Sequence, residues 1–248
     1  MYAYISLKTV LFALKQMQLH NTEEHRVTTV MNTIYNHYFP HTRFAITHEQ
    51  PQGVRGLKPD CVIQYINNDN WVHHVFAEYK HYYTSMNILA IVDQLLGAVQ
   101  ETLPHPAASY LIIVKGPIIA FYQYFSNTAL LDAGHIAHYK GLIPMNYIFT
   151  IGEFLHINPG STPADYIHWR CSLPDCFAEY NGLADEQVLT RNGEFYFGLG
   201  SSYFKNYGHH PNTFKIPHVF DLLKHPEFVH DLFKYAASKK AGFQGDFL

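Results

Sequence analysis

The stretch from Pro59 to Lys80, PDCVIQYINNDNWVHHVFAEYK, contains the pattern on which the first half of this fold depends. Cys61–Ile66 and Trp71–Ala77 are rich in β-branched and aromatic side chains, and the cluster Asn67–Asn70 between them is typical of a turn. The pattern therefore predicts a β-hairpin with polar, chargeable residues at its open end.

The length of the turn determines which residues face each other at that open end. With four turn residues, Asp60 faces Ala77, one position from Glu78, whereas a fifth turn residue brings Asp60 directly opposite Glu78. Opposed residues on paired strands lie roughly 5 Å apart. Glu78 and Lys80 share one face of their strand because side chains alternate along it. Either register brings two carboxylates and an ammonium group together.

Two carboxylates this close repel each other unless one is protonated or a cation binds between them. Hard oxygen ligands favour Mg²⁺ or Mn²⁺, which take part of their coordination shell from water and substrate phosphate. The ammonium group of Lys80 would then orient or help to deprotonate an attacking water and stabilise charge developing on the phosphate. This set of residue types indicates metal-dependent phosphodiester hydrolysis.

The flanking sequence predicts the order helix, three strands, helix, strand. Periodic apolar residues, proline breaks and apolar runs mark the elements outside the hairpin. They are a helix from Asn21 to Tyr35 or His37, a strand Arg43–His48, a helix Thr84–Leu103, and strands Ser109–Val114 and Ile118–Phe125.

Pro-Asp followed by Glu-x-Lys in this context resembles the signature of the PD-(D/E)XK nuclease superfamily. The resemblance implies an α/β fold with a mixed sheet and an αβββαβ, restriction-endonuclease-like core at residues 20–125. By position, Asp60 and Glu78 would bind the metal with the backbone carbonyl of Tyr79, and Lys80 would be catalytic. Residues 126–248 would form a C-terminal elaboration within one compact unit of residues 1–248.

Some members of that superfamily carry accessory residues that have counterparts here. A glutamate on the helix before the hairpin corresponds to Glu24 or Glu23, which also suits a simple helix start. A glutamine on the helix after the lysine strand corresponds to Gln94, although the aromatic residue that accompanies it in the family is replaced by Ala98. Asn87, Gln94 and Glu101 form a polar stripe that would face either the site or solvent.

Basic residues near the motif are candidates for contacts with substrate phosphate. Arg55 and Lys58 lie just before Asp60, whereas Lys115 and Lys140 are farther along the chain. Because the net charge is −3, the sequence argues against strong non-specific binding of duplex DNA. The 37 tyrosines and phenylalanines could instead provide stacking surfaces for unpaired bases.

The 18 histidines suggest two alternative hypotheses about a metal site. His48 or His41 resembles the extra metal-binding histidine of cap-snatching viral endonucleases in the same superfamily. His168, Cys171 and Cys176 offer zinc-type ligands, as do the histidine pairs at 135/138 and 209/210, but none has paired Cys-x-x-Cys spacing. Scattered surface or hydrogen-bonded histidines are the simpler interpretation.

The remaining composition limits the cellular setting. Residues 2–19 predict an amphipathic helix rather than a signal peptide, no apolar run reaches the length of a membrane span, and three cysteines suit a reducing interior. We therefore expect an intracellular protein, in cytoplasm or nucleus, with nucleic acid as its partner. The type of nucleic acid is open, and a homodimer is compatible with the sequence.

The C-terminal half gives weaker signals. Residues 129–139 suit a helix or a loop, 147–155 a partly extended segment, and 194–197 a strand. Residues 218–238 predict helix, divided in two by Pro226. Two functions thus follow from the sequence: a metal-dependent nuclease, or a nuclease-like fold without catalysis that acts as a binding, structural or effector module.

Overall fold

The computed structural model describes residues 4–19, 23–48, 58–105, 107–133, 138–162, 165–166, 189, 191, 193, 195–198, 213–215 and 218–239. A 3₁₀ turn, Tyr4–Ser6, precedes helices α1 Lys8–Leu19, α2 Glu24–Tyr38, α3 Ile88–Thr102, α4 Thr128–Ala133, α5 Met145–Ile157 and α6 Pro226–Ser238. The strands are β1 Phe44–His48, β2 Cys61–Asn67, β3 Asn70–Lys80, β4 Ala108–Lys115, β5 Ile118–Phe125, β6 Leu142–Pro144, β7 Tyr196–Gly198, β8 Thr213–Lys215 and β9 Val219–Asp221.

The protein is a mixed α/β protein built on a seven-stranded, mostly antiparallel sheet. Its strands run in the order β1-β2-β3-β4-β5-β6, and β9 pairs with the other half of the β5 edge. β3 and β4 are parallel, because α3 carries the chain back across the sheet between them. The predicted order of helix, three strands, helix and strand is confirmed for the elements from α2 to β4.

Helices cover both faces of this sheet, so each face has its own apolar core. On one face, Ile34 of α2 and Phe233 of α6 pack with Ala77. On the other, Leu95 of α3 packs with Phe76. Among the described residues, no helix is long and apolar enough to cross a membrane.

The hairpin forms as predicted, but its register is reached differently. The turn has two residues, Asn68 and Asp69, whose φ values of 48° and 61° match the left-handed conformations that tight hairpin turns require. A β-bulge at His74 then inserts an extra residue into β3, so that Cys61 faces Ala77. Ile66 faces Trp71, as a four-residue turn predicts, but the expected pairing of Asp60 with Ala77 is wrong because of the bulge. Continuing the observed ladder by one residue brings Asp60 opposite Glu78.

Several predicted helix boundaries require correction. The first segment is a 3₁₀ turn followed by α1, and the helix expected from Asn21 begins at Glu24. The helix expected from Thr84 begins at Ile88, because the Asn87 side chain caps it by accepting a hydrogen bond from the Ala90 N–H at 2.9 Å. Asn87 thus has a structural role.

The extended segment predicted at residues 147–155 is wrong, since these residues lie within α5. Their β-branched and aromatic side chains favour a strand locally. However, Tyr147, Ile148 and Ile151 are buried at helical spacing against the core. Burial of this face outweighs the weak local preference.

Of the two helices predicted at residues 218–238, the second is confirmed as α6, Pro226–Ser238, and the first is wrong. Val219–Asp221 is instead β9, which satisfies part of the β5 edge. The Asp221 side chain then accepts hydrogen bonds from the backbone N–H groups of Leu223 and Lys224 and forms a turn. Pro226 lies in the first turn of α6, where its missing N–H costs no hydrogen bond.

Candidate metal centre

Asp60, Glu78 and Lys80 meet at the end of the β2–β3 hairpin, as the sequence predicts. Asp60 directly precedes β2, and the other two lie at the C-terminal end of β3, where β3 runs beside β4. Alternation along the strands places all three side chains on the face covered by α3, the same face as Phe76. The bulge at His74 completes this arrangement by setting the register.

Asp60 is fixed by the backbone of the neighbouring strand. The Tyr79 N–H donates a hydrogen bond to Asp60 Oδ2 at 2.6 Å. In an extended strand, the N–H and C=O of one residue point to the same edge, so the Tyr79 carbonyl also points toward Asp60. The next carbonyl, that of Lys80, points the other way and accepts a hydrogen bond from Gly116 N–H at 2.8 Å. The Tyr79 carbonyl therefore points toward the β2 edge of β3, and its role as a metal ligand stays a prediction.

Glu78 is the buried acid of the site, with 2% of its surface exposed. Its Oε1 atom accepts hydrogen bonds from Lys80 Nζ at 2.7 Å and from Gln94 Nε2 at 2.6 Å. Burial, followed by the charge of Asp60, raises the pKa of Glu78 from 4.5 to about 7, although Lys80 and a hydrogen bond from the Asp60 backbone oppose this shift. Near neutral pH, the protonated and ionised forms of Glu78 are therefore both populated.

Lys80 lies among three carboxylates. Its Nζ atom is 2.7 Å from Glu78 Oε1, 3.8 Å from Asp60 Oδ2 and 3.9 Å from Glu24 Oε1. Burial lowers the pKa of Lys80, but the hydrogen bond with Glu78 and the charges of the three acids outweigh burial, so that the pKa is raised. Lys80 therefore stays protonated at neutral pH, and one ammonium group faces three acids.

The accessory residues divide into those that reach the site and those that do not. Gln94 reaches it from α3, and Glu24 reaches it from the first turn of α2. Glu23 instead forms an ion pair with Arg26 at 3.0 Å, and its carboxylate lies 3.3 Å from His25 Nε2.

The basic residues considered for phosphate contacts differ in their surroundings. Lys58 is exposed two positions before Asp60, whereas Arg55 lies outside the described residues. Lys140 is paired with Asp93 at 2.8 Å rather than facing the site. Lys115 lies beside Lys80 on the adjacent strand, and its Nζ donates to the Met86 carbonyl at 3.0 Å.

Of the candidate histidines that the structure describes, His48 is the one at the site. Its Nδ1 atom lies 3.3 Å from the backbone carbonyl of Asp60. His41 precedes β1 at the opposite end of that strand. His138 contacts Asp132 at 3.1 Å, while the other zinc-type candidates lie outside the described residues.

The oxygen ligands at this site suit a hard divalent cation. The carboxylates of Glu78, Asp60 and Glu24 lie within 3.9 Å of Lys80 Nζ, and the net charge including Lys80 is negative once the acids ionise. Within the described ranges, no three His, Cys, Asp or Glu side chains are arranged as a preformed metal-binding group. Lys80 lies between the acids and bonds directly to one of them, so a cation would have to share them with its ammonium group.

The sequence pattern did not single out the tyrosine pair that follows Lys80. Tyr82 and Tyr83 are both solvent-exposed in the loop between β3 and α3. The signal available was an aromatic pair two and three residues beyond a Glu-x-Lys motif.

Comparisons with protein-family models, with curated proteins and with solved structures found no match to this chain. Inference about function therefore depends on the geometry and chemistry of the site itself.

Proposed function

We propose that this protein is a metal-dependent nuclease that hydrolyses phosphodiester bonds of DNA or RNA inside the cell. The observation that carries the proposal is the convergence of Asp60, Glu78 and Lys80 at one end of the hairpin, with Gln94 bonded to Glu78. The αβββαβ element order and the Pro-Asp and Glu-x-Lys residues support membership of the PD-(D/E)XK superfamily as part of the same proposal.

In this proposal, Asp60, Glu78 and the Tyr79 carbonyl hold Mg²⁺ or Mn²⁺, with Glu24 as a further acid beside them. When bound, such an ion would polarise the phosphate and lower the pKa of a coordinated water. Gln94 orients the Glu78 carboxylate through its 2.6 Å hydrogen bond. The Tyr79 N–H similarly fixes Asp60, so both acids are preorganised.

Lys80 acts as a hydrogen-bond donor in this scheme. Because the neighbouring acids raise its pKa, its ammonium group is protonated at neutral pH and is a poor proton acceptor. It would hold the attacking water by donating to its oxygen, and it would stabilise negative charge that develops on the phosphate. Lys58, which is exposed two positions before Asp60, would contact a phosphate farther along the substrate.

A second candidate is a nuclease-like fold that binds nucleic acid or protein without catalysis. The 2.7 Å contact between Lys80 and Glu78 favours it, because an ammonium group that neutralises the acids stabilises the site without a metal. The two candidates differ in whether a divalent cation binds and whether a phosphodiester is cut.

The test is hydrolysis of single- and double-stranded DNA and RNA in Mg²⁺, Mn²⁺, Ca²⁺ or EDTA. We expect wild type to hydrolyse nucleic acid with Mg²⁺ or Mn²⁺ but not in EDTA. Asp60→Asn should not hydrolyse it in either metal. Asp69→Asn is the matched control, because Asp69 lies in the exposed turn of the same hairpin, where Asn is also tolerated. Absence of both metal binding and cutting in wild type would refute the nuclease and leave the non-catalytic module.

A further inference from the structure

An exposed pair of tyrosines lies immediately beyond the candidate centre. Tyr82 and Tyr83 are 45% and 63% exposed, and their ring centroids are 5.1 Å apart at an interplanar angle of 81°. Chain connectivity keeps the Tyr83 Cα within about 11 Å of the Lys80 Cα. An edge-to-face pair of this kind orients each ring through the other while leaving aromatic surface accessible.

The loop that carries the tyrosines is anchored at several points. The Thr84 N–H donates to the His81 carbonyl at 3.2 Å, and Lys115 Nζ donates to the Met86 carbonyl at 3.0 Å. Tyr82 packs so closely on Gly116, whose φ is +57°, that a Cβ at Gly116 would lie 2.7 Å from the Tyr82 Cβ. Tyr82 is therefore the supported member of the pair, and Tyr83 is the outer one.

The charges around the site favour base stacking over binding through many contacts with backbone phosphates. Lys80 is engaged with acids, and Lys115 is engaged with a backbone carbonyl. The chain as a whole carries a net charge of −3. Duplex binding usually depends on many free cationic contacts, whereas stacking of a base on an aromatic ring needs none. A base can stack in this way only when it is unpaired.

We propose that Tyr83, oriented by Tyr82, is a stacking platform for an unpaired base, and that the substrate is therefore single-stranded nucleic acid. This inference rests on the proposed function, because it places the stacked base beside the phosphodiester held at Asp60, Glu78 and Lys80. The Tyr83 ring would contact the flat face of the base, and DNA and RNA bases both offer such a face.

The test is fluorescence anisotropy with a labelled single-stranded DNA, an RNA of the same sequence and the corresponding DNA duplex. Binding is measured with Mg²⁺ in the Lys80→Met background, in which cutting should be slow enough to leave the substrate intact during the measurement. Tyr83→Ala should weaken single-strand binding by about tenfold to a hundredfold, and Tyr83→Trp should preserve it. The DNA and RNA arms show whether both are accepted.

Trp71→Ala is the matched control, because Trp71 is a 56% exposed aromatic residue near the start of β3. It lies roughly 30 Å from Lys80, which ends the same strand. It should bind single strands as the background does. Unchanged binding in Tyr83→Ala, an equal loss on single strands and duplex, or no single-strand binding at all would overturn the platform.

Hydrolysis of an abasic single-stranded oligonucleotide separates the platform from the chemistry, because its phosphodiesters carry no aromatic group that could stack on Tyr83. In the otherwise wild-type chain, Tyr83→Ala should cut the abasic strand at the wild-type rate while cutting a base-bearing single strand more slowly. If Tyr83→Ala hydrolyses both substrates at the wild-type rate, the platform is refuted and the nuclease remains. Single-strand binding that requires Tyr83, without hydrolysis of any diester, supports the platform and refutes the nuclease.

Discussion

The backbone N–H of Tyr79 donates a 2.6 Å hydrogen bond to the carboxylate of Asp60. A peptide group of β3 therefore positions an acid that directly precedes β2. This contact requires the register that the His74 bulge produces. It leaves Asp60 partly accessible while restricting its orientation, which suits an acid that has to hold a ligand in a defined place.

Asp60→Asn and Asp60→Ala should separate the structural role of Asp60 from its chemical role. Asn keeps an oxygen that accepts from Tyr79 N–H, so we expect near wild-type stability with loss of hydrolysis. Ala also removes the acceptor and should lower the free energy of unfolding by about 1–2 kcal/mol. Urea unfolding and an oligonucleotide assay measure the two effects. Equal stability of the two variants would show that the contact contributes nothing.

Lys80→Met should uncouple metal binding from hydrolysis. Removing the ammonium group leaves the acids without their internal cation, so Mn²⁺ should bind at least as tightly as to wild type. Hydrolysis should fall by about a hundredfold to a thousandfold, because a donor to the developing charge is lost. Calorimetry and initial rates provide the two measurements. Lys224→Met, a change at an exposed lysine, is the control. Undiminished hydrolysis in Lys80→Met would exclude a catalytic role for this residue.

The pKa of Glu78 should make the folded state less stable as pH rises. The folded pKa of about 7 lies above the ordinary value of 4.5, so the native state binds the extra proton between these values. The favourable contribution is full below pH 4.5 and lost as pH rises through about 7, by roughly 3 kcal/mol at most. In urea unfolding measured from pH 4 to 8, Glu78→Gln should gain stability relative to the exposed change Glu153→Gln as pH rises. A difference between these two variants that does not change with pH would show that Glu78 does not contribute this effect.

Divalent metal should stabilise the protein more at high pH than at low pH. A proton and a cation compete for Glu78, whose pKa is about 7, so the Mn²⁺-induced rise in Tm should be small at pH 5.5 and larger at pH 8. Thermal melts with and without Mn²⁺ measure this difference. Asp60→Asn should show little shift at either pH, and Asp69→Asn should match wild type. A metal-induced shift independent of pH would place the metal away from Glu78.

His74 should have the opposite pH effect. Burial lowers its pKa from 6.5 to about 4, and its Nε2 lies 2.6 Å from the Ala236 carbonyl. Stability should therefore fall as pH drops from 6.5 to about 4, because the unfolded chain binds the proton more readily. His74→Gln keeps a donor for Ala236 and should flatten this acid-side loss in urea unfolding, while the exposed change His41→Gln should not. In wild type the His74 and Glu78 effects offset each other over the range they share, so the single variants reveal them.

Much of the site was predictable because it depends on local patterns. The hairpin follows from two β-branched and aromatic runs around an asparagine-rich turn, and the shared face of Glu78 and Lys80 follows from strand alternation. Gln94 and Glu24 were identified by position, and the structure brings both to the cluster. The errors at α5 and β9 arose where burial and edge pairing outweighed local propensity.

The sequence by itself therefore determined which residue types stand at the end of the hairpin, because turns and alternation are properties of a few neighbouring residues. Only the tertiary structure decided that Asp60 faces Glu78, since that register depends on a bulge whose His74 side chain bonds to Ala236, 162 residues away. The raised pKa of Glu78 likewise depends on burial beneath α3 and on the charge of Asp60 across the hairpin. Such long-range contacts are not encoded in any short stretch of the chain.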